Sequence, residues 1–142
     1  MLLGFNLLIL CVMAVTGFVM YDDPCNVHNP WGTGIPASSD FTFDVDIPSF
    51  CANGTFTWNY PKGHALITFH NVDEKPTTLC VLQGLGIGMF TITDMTNNKQ
   101  LGQSGDQYTW SCSDATTEPE IILKVDAPEI MTYMGNVEYT IS

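Results

Sequence analysis

The residues of this chain with the clearest chemical potential are its five cysteines, at positions 11, 25, 51, 80 and 112. The first lies in an N-terminal segment that contains no charged residue and no histidine over residues 1–20. Residues 7–15 are a continuous apolar block, followed by the small residues Thr16 and Gly17, which is typical of a secretory signal peptide. We therefore expect residues 1–20 to be removed, with cleavage near 17–20, and the later cysteines to reach an oxidising compartment.

The alternative for this segment is a permanent anchor, because about 18 apolar residues suffice to cross a bilayer. Gly4, Asn6 and Gly17 dilute its hydrophobicity, which favours cleavage. Cys11 belongs to this segment and is left out of the disulfide count. The other four cysteines allow three pairings, and the sequence alone does not choose among them.

The charge of the chain limits its partners. Fifteen acidic residues face four lysines and no arginine, for a net charge of −11. A surface that binds phosphate groups needs lysine and arginine to neutralise them. We therefore expect no nucleic-acid partner, and no membrane partner once the N-terminal segment is removed.

Residues that could support catalysis or hold a metal do not form a recognisable set. His28, His64 and His70 are the only histidines, and a zinc site needs three or four ligands. No Gly-x-Ser-x-Gly sequence occurs, and no pair of acids stands out from the others. We expect no catalytic residues, no metal and no cofactor.

Two features point to an extracellular surface. Asn53-Gly54-Thr55 is an N-glycosylation sequon. Aromatic residues that could stack on a sugar occur at Trp31, Trp58, Tyr60, Tyr108 and Trp110. Aromatic residues on strands are mostly buried, so Trp31, in a turn-rich stretch over residues 25–39, is the best candidate for an exposed binding residue.

The elements that must position these residues are strands. Apolar and polar residues alternate in several short segments that are separated by turn-forming residues, as expected for strands with one buried face. The segments are residues 40–47, 55–60, 65–69, 89–93, 107–112, 121–125 and 137–141. No convincing helix is predicted, residues 128–133 being the best candidate. Residues 21–142 have the length of one domain, so we expect a single antiparallel sandwich.

The order of these pieces resembles a CUB domain, or the CUB-like domains of secreted invertebrate proteins. The resemblance runs from Cys25 to the end of the chain. Its pieces are Cys25 and Cys51, Trp58 with Tyr60-Pro61-Lys62-Gly63, Leu66–Phe69, Cys80, Thr91–Asp94, Cys112, Ile121–Asp126 and Gly135–Tyr139.

The resemblance implies a two-sheet antiparallel jelly-roll sandwich with disulfides Cys25–Cys51 and Cys80–Cys112. Many CUB domains bind calcium, and Asp73, Glu74 and Asp126 occupy two of the places where they carry acids. No acid follows Cys80 directly, and calcium prefers six or more oxygen ligands. We therefore do not predict a calcium site.

These observations favour a secreted, non-catalytic domain that binds an extracellular protein or glycan. The alternative is a structural subunit of an extracellular matrix, coat or filament, in which sheet edges and the stretch 26–39 pack against neighbouring copies. A homo-oligomer is compatible with both. A small hydrolase that uses two acids is a third and weaker candidate.

Overall fold

The computed structural model of this chain describes residues 23–28, 41–59, 63–84, 90–102, 108–127 and 134–142. Within them the chain forms ten strands. These are β1 (Asn26–His28), β2 (Phe41–Ile47), β3 (Asn53–Asn59), β4 (Gly63–His70), β5 (Leu79–Gln83), β6 (Thr91–Asp94), β7 (Lys99–Gly102), β8 (Trp110–Cys112), β9 (Glu120–Asp126) and β10 (Met134–Ile141). Over the same ranges, no helix is long and apolar enough to cross a membrane.

The strands form two five-stranded sheets. Sheet I has the order β1-β3-β10-β5-β8, and sheet II has the order β2-β4-β9-β6-β7. The expected all-β, two-sheet architecture with two disulfides is therefore confirmed.

The expectation of purely antiparallel sheets is wrong. β1 pairs with β3 in parallel, and β2 pairs with β4 in parallel, whereas the other strand pairs are antiparallel. The first four strands alternate between the two sheets, so each parallel pair is joined through a strand of the opposite sheet. Such a crossover is what a parallel connection needs, and it leaves no signal in the hydrophobic alternation.

The core lies between the sheets and follows the alternation. In β4 the residues Ala65, Ile67 and Phe69 are buried, and the intervening residues are half-buried. Trp58 is fully buried, as expected, with its ring 6.0 Å from that of Phe56 and 6.3 Å from that of Phe90. Large side chains from both sheets therefore fill the interior.

Three strands were not predicted. The turn-rich stretch 25–39 predicts a loop at Asn26–His28, but these residues form β1, where three residues are too few for a visible alternation. β5 has the nearly continuous apolar sequence Leu-Cys-Val-Leu-Gln, and β7 begins at Lys99, between the predicted strands 89–93 and 107–112. The predicted strands at 89–93 and 107–112 are seen in part, as β6 and β8.

Candidate functional site

The outward face of sheet I carries a row of side chains that crosses all five strands. The strand register places Asn26 beside Thr55, Thr55 beside Glu138, Glu138 beside Leu82, and Leu82 beside Trp110. Successive residues of a strand point to opposite faces, and Phe56, Val137 and Val81 of the neighbouring positions are buried in the core. The row therefore lies on the face that sheet II does not cover.

Trp110 is the most prominent side chain of this row. It is 48% exposed, whereas Trp58, on the inward face of the same sheet, is 0% exposed. The expectation that strand aromatics are buried is thus wrong for Trp110. β8 is a three-residue strand at the edge of sheet I, so Trp110 has a neighbouring strand on one side only.

Tyr108 is also exposed, at 72%, but it does not extend the same surface. Its backbone has φ 50°, in the left-handed region, so the strand alternation does not continue from Trp110 back to Tyr108. Its amide donates a hydrogen bond to the carbonyl oxygen of Gln83, at 3.1 Å. Among the described residues, Trp110 lines the depression described next and Tyr108 does not.

A shallow depression of about 430 Å³ lies on this face. Trp110 of β8 forms one side of it, and residues of β1, β3 and β10 line the rest. The lining includes the polar side chains of Asn26, Asn53, Thr55, Glu138 and Thr140. An aromatic surface with a few fixed polar groups is a common form of ligand site.

Hydrogen bonds hold the polar side of the depression in place. Asn26 Oδ1 accepts from the amide of Thr55 at 3.0 Å and from Thr55 Oγ1 at 3.1 Å. Asn26 Nδ2 donates to Asp23 Oδ2 at 2.9 Å. The Asn26 side chain is therefore oriented before any ligand arrives.

Gly54 allows β1 to approach β3 at this point. A Cβ atom built on Gly54 would lie 1.9 Å from the carbonyl oxygen of Cys25 and 2.6 Å from the hydroxyl of Tyr139. No other residue type fits between these two oxygens without displacing them. The middle position of the sequon is thus fixed by packing.

Tyr139 joins the depression to the core. Its hydroxyl donates to the carbonyl oxygen of Cys25 at 2.8 Å, and its ring packs edge-on against Phe69 with centroids 4.9 Å apart. Burial raises the pKa of Tyr139 to about 12, and the negative charge of Asp23 acts in the same direction. The hydroxyl therefore stays protonated, and able to donate, throughout the neutral range.

Both disulfides lie close to this surface. Cys25–Cys51 links the start of β1 to the turn before β3, and Cys80–Cys112 joins directly paired residues of β5 and β8 with Cα atoms 4.0 Å apart. Cys80 and Cys112 lie in the same cross-strand row as Asn53 and Thr140. Their disulfide ties the short edge strand that carries Trp110 to the body of sheet I.

The remaining acids and histidines form separate small pairs. His64 Nε2 lies 3.3 Å from Thr42 Oγ1, and His70 contacts Asp46 through Nε2. Asp73 pairs with Lys75 at 2.8 Å, and the hydrogen bond and positive charge of Lys75 lower the pKa of that carboxyl. Where side chains are described, no three potential metal ligands come together.

Other candidate calcium positions are also engaged or exposed. Asp126 lies 3.0 Å from Lys124, and Glu74 is exposed in a turn with φ 49°. These acids do not surround a common point with Asp73 in the described part of the chain.

Asp94 is the one fully buried acid among the described residues, and its role is structural. Its Oδ1 accepts from the amides of Thr96 and Asn97 at 2.9 and 3.1 Å, and its Oδ2 accepts from Asn97 Nδ2 at 2.7 Å. These bonds close the turn between β6 and β7, as aspartate commonly does. A buried acid free to act on a substrate would favour the hydrolase, and Asp94 does not have that freedom.

Some predicted features lie outside the described residues. These are the N-terminal segment 1–20, Trp31 in the stretch 29–40, Tyr60, and the candidate helix at 128–133. The candidate binding surface is therefore built from Trp110 and its row, which the sequence did not single out. The alternation of residues 107–112 could have signalled two faces, but not which of them sheet II covers.

Comparison with known proteins gives similarities of fold only. No protein-family model matches the sequence, and no curated protein sequence matches it. Among solved structures, the chain is similar to PliG from Aeromonas hydrophila, a periplasmic inhibitor of g-type lysozyme. The TM-score is 0.49 at 9% identity, over 73% of this chain and 100% of that one.

A second similar structure is the pre-peptidase C-terminal domain of collagenase from Bacillus anthracis. Here the TM-score is 0.31 at 14% identity, over 73% of this chain and 97% of that domain. Identities and TM-scores at this level do not transfer a function to the chain.

Proposed function

We propose that this chain is a secreted, non-catalytic recognition domain that binds an extracellular protein or glycan in the depression of sheet I. The observation that carries this proposal is the half-exposed indole of Trp110 beside a row of oriented polar groups. Tryptophan supplies a large apolar contact surface at little cost in side-chain entropy. Asn26 and Thr55 supply hydrogen-bonding groups at fixed positions beside it, and Glu138 lines the same depression.

Charge narrows the class of ligand. Glu138 is the only charged residue among those that line the depression in the described part of the chain. The whole chain carries a net charge of −11. The negative charge of the chain would repel a strongly acidic ligand. A neutral sugar or a neutral to basic protein surface therefore fits best.

Binding to a glycan array provides the test, with the protein freed of N-linked sugars and with two matched variants. Trp110→Ala removes the indole from the depression, and Tyr108→Ala removes an exposed aromatic ring outside it. We expect Trp110→Ala to abolish binding and Tyr108→Ala to preserve it. Binding that survives Trp110→Ala would refute the depression as the site, and loss in both variants would point to misfolding, which circular dichroism would reveal.

The proposal includes removal of residues 1–20 during secretion and a domain over residues 21–142. Two disulfides agree with folding in an oxidising compartment. Expression of the whole chain in a eukaryotic secretory system would yield a protein whose first residue lies near 18–21. Retention of the full N-terminus in the membrane fraction would contradict cleavage.

We also propose a distant CUB-like origin for the sandwich. The jelly-roll arrangement and the disulfide partners that the resemblance implied belong to this proposal. The two sheets and the pairs Cys25–Cys51 and Cys80–Cys112 support it. The parallel pairs β1–β3 and β2–β4 are where the chain departs from an antiparallel arrangement.

A structural subunit is the second candidate, and two exposed side chains favour it. Phe50 and Val72 are 73% and 72% exposed. Phe50 lies three residues after the end of β2, and Val72 lies two residues after the end of β4. The two strands run in parallel, with Ile47 beside Phe69. The two turns therefore lie at the same end of sheet II and form an apolar tip suited to self-association.

Light scattering after size exclusion separates the two candidates. A free recognition domain elutes as a monomer or a small closed oligomer, whereas a structural subunit forms a persistent polymer. If a polymer forms, Phe50→Ser together with Val72→Ser should dissolve it. A polymer that both substitutions leave intact would exclude the apolar tip as the contact.

A further inference from the structure

We infer that Asn53 carries an N-linked glycan whose first sugars lie in the depression of sheet I and cover Trp110. The inference does not rest on the identity of any external ligand. It assigns an occupant to this surface and makes access to Trp110 depend on a modification of the chain itself.

The attachment point lies on the rim of the depression. Asn53 is exposed, begins β3, and lines the same depression as Trp110. Asn53-Gly54-Thr55 is the sequence that an N-glycan requires. A glycan linked here starts at the surface that Trp110 shares.

The distance suits the core of a glycan. From β3 to β8 the sheet crosses β10 and β5, which is three strand spacings, or about 14 Å. Asn53 also lies two residues along β3 from Thr55, which is in the row of Trp110, so the separation is about 16 Å. The indole of Trp110 shortens that gap, because it also lines the depression. A chain of several sugars that leaves the Asn53 amide along the sheet therefore reaches the ring.

The chemistry of the lining suits the same occupant. A sugar ring presents a face of C–H groups that can pack on an indole and a rim of hydroxyls that need partners. Thr140 and Glu138 belong to β10, which lies between β3, with Asn53, and β5, the neighbour of the strand that carries Trp110. Both residues line the depression. Their oxygens can accept from sugar hydroxyls along the path.

Charge distinguishes the core of the glycan from its ends. None of the described lining residues is basic, and Glu138 is acidic. The neutral sugars next to the attachment point are therefore accepted, whereas an acidic terminal sugar is disfavoured. The occupant is the part of the glycan that lies nearest to Asn53.

The experiment uses the full chain secreted from eukaryotic cells, with the intact glycan and after enzymatic removal of the whole glycan. Glycopeptide mass spectrometry first establishes occupancy of Asn53. Brief treatment with N-bromosuccinimide then oxidises accessible indoles, and peptide mapping gives the rate at Trp110. We expect Trp110 to be oxidised several-fold more slowly with the glycan present, and Trp58 to stay protected in both samples.

Two comparisons make the result specific. Asn53→Gln should give the faster rate without enzymatic treatment. Nitration of Tyr108, which is exposed but outside the depression, should not depend on the glycan. An unmodified Asn53, or equal oxidation rates at Trp110 with and without the glycan, would overturn the inference.

Failure of this inference and failure of the proposed function are distinguishable. If Asn53 is unmodified but Trp110→Ala still abolishes binding to the array, only the glycan inference falls. If the glycan protects Trp110 but the deglycosylated protein binds nothing on the array, only glycan recognition at this surface falls.

Discussion

Replacement of Tyr139 by phenylalanine should change how the stability of this protein depends on alkaline pH. The substitution keeps the ring that packs on Phe69 and removes the hydroxyl that donates to the carbonyl oxygen of Cys25 at 2.8 Å. A hydrogen bond of this kind contributes about 1 kcal/mol net. We therefore expect Tyr139→Phe to be about 1 kcal/mol less stable than the wild type at about pH 8.

The sign of the effect reverses at high pH. The pKa of Tyr139 is raised from 10.0 to about 12 in the folded protein, chiefly by burial. The stability that this shift contributes is complete below pH 10 and is lost as the pH rises from 10 through 12, because the unfolded chain loses its proton first. A shift of this size corresponds to at most about 3 kcal/mol. Because Tyr139 borders the open depression, we expect solvent screening to reduce this to about 1–2 kcal/mol.

Urea unfolding of both proteins at a series of pH values measures this difference. The wild type should lose its advantage near pH 11 to 12, whereas Tyr139→Phe lacks the titrating group. Tyr108→Phe is the matched control, since its ring is 72% exposed, and it should follow the wild type. Wild-type and Tyr139→Phe stabilities that fall in parallel, with the disulfides verified as intact, would refute the assignment of Tyr139.

Four further variants test the packing of sheet I. Replacing Cys80 and Cys112 together by serine removes a disulfide between residues with a sequence separation of 32. It should lower the free energy of unfolding, measured with urea, by about 3.7 kcal/mol. Non-reducing peptide mapping that finds these cysteines in other pairs would contradict the geometry. Gly54→Ala should cost about 1–3 kcal/mol and speed amide exchange in β1, because the new Cβ meets the Cys25 carbonyl; unchanged exchange would show that β1 does not pack there. Trp58→Ala should cost about 3–5 kcal/mol, while Trp110→Ala should cost less than about 1 kcal/mol; equal costs would mean that the two faces of sheet I are equally packed.

Much of the sandwich follows from local sequence. The alternation in residues 40–47, 65–69 and 121–125 predicted β2, β4 and β9. Phe41 to Ile47 shows why this works, since each second residue is apolar and one face of the strand must be buried. β1 and β7 are too short to show a period, and β5 is apolar at four successive positions, so none of the three carried the signal.

The candidate site could not be predicted in the same way. Trp58 and Trp110 each lie in a segment of alternating residues, yet one is fully buried and the other half-exposed. Local sequence defines two faces of a strand but not which face another sheet covers. Trp58 lies opposite the side chains of sheet II, whereas Trp110 lies on the open face at the edge.

The sequence by itself determined the strand segments that alternate clearly, the acidic charge that disfavours phosphate-bearing partners, and the cysteines available for pairing. Tertiary structure decided the parallel pairing of β1 with β3 and of β2 with β4, and it brought Asn26, Asn53 and Trp110 to one depression. The physical reason is the distance along the chain over which each effect acts. Alternation arises from the geometry of a few successive residues, whereas strand order and the choice of the covered face depend on the packing of segments far apart in the chain.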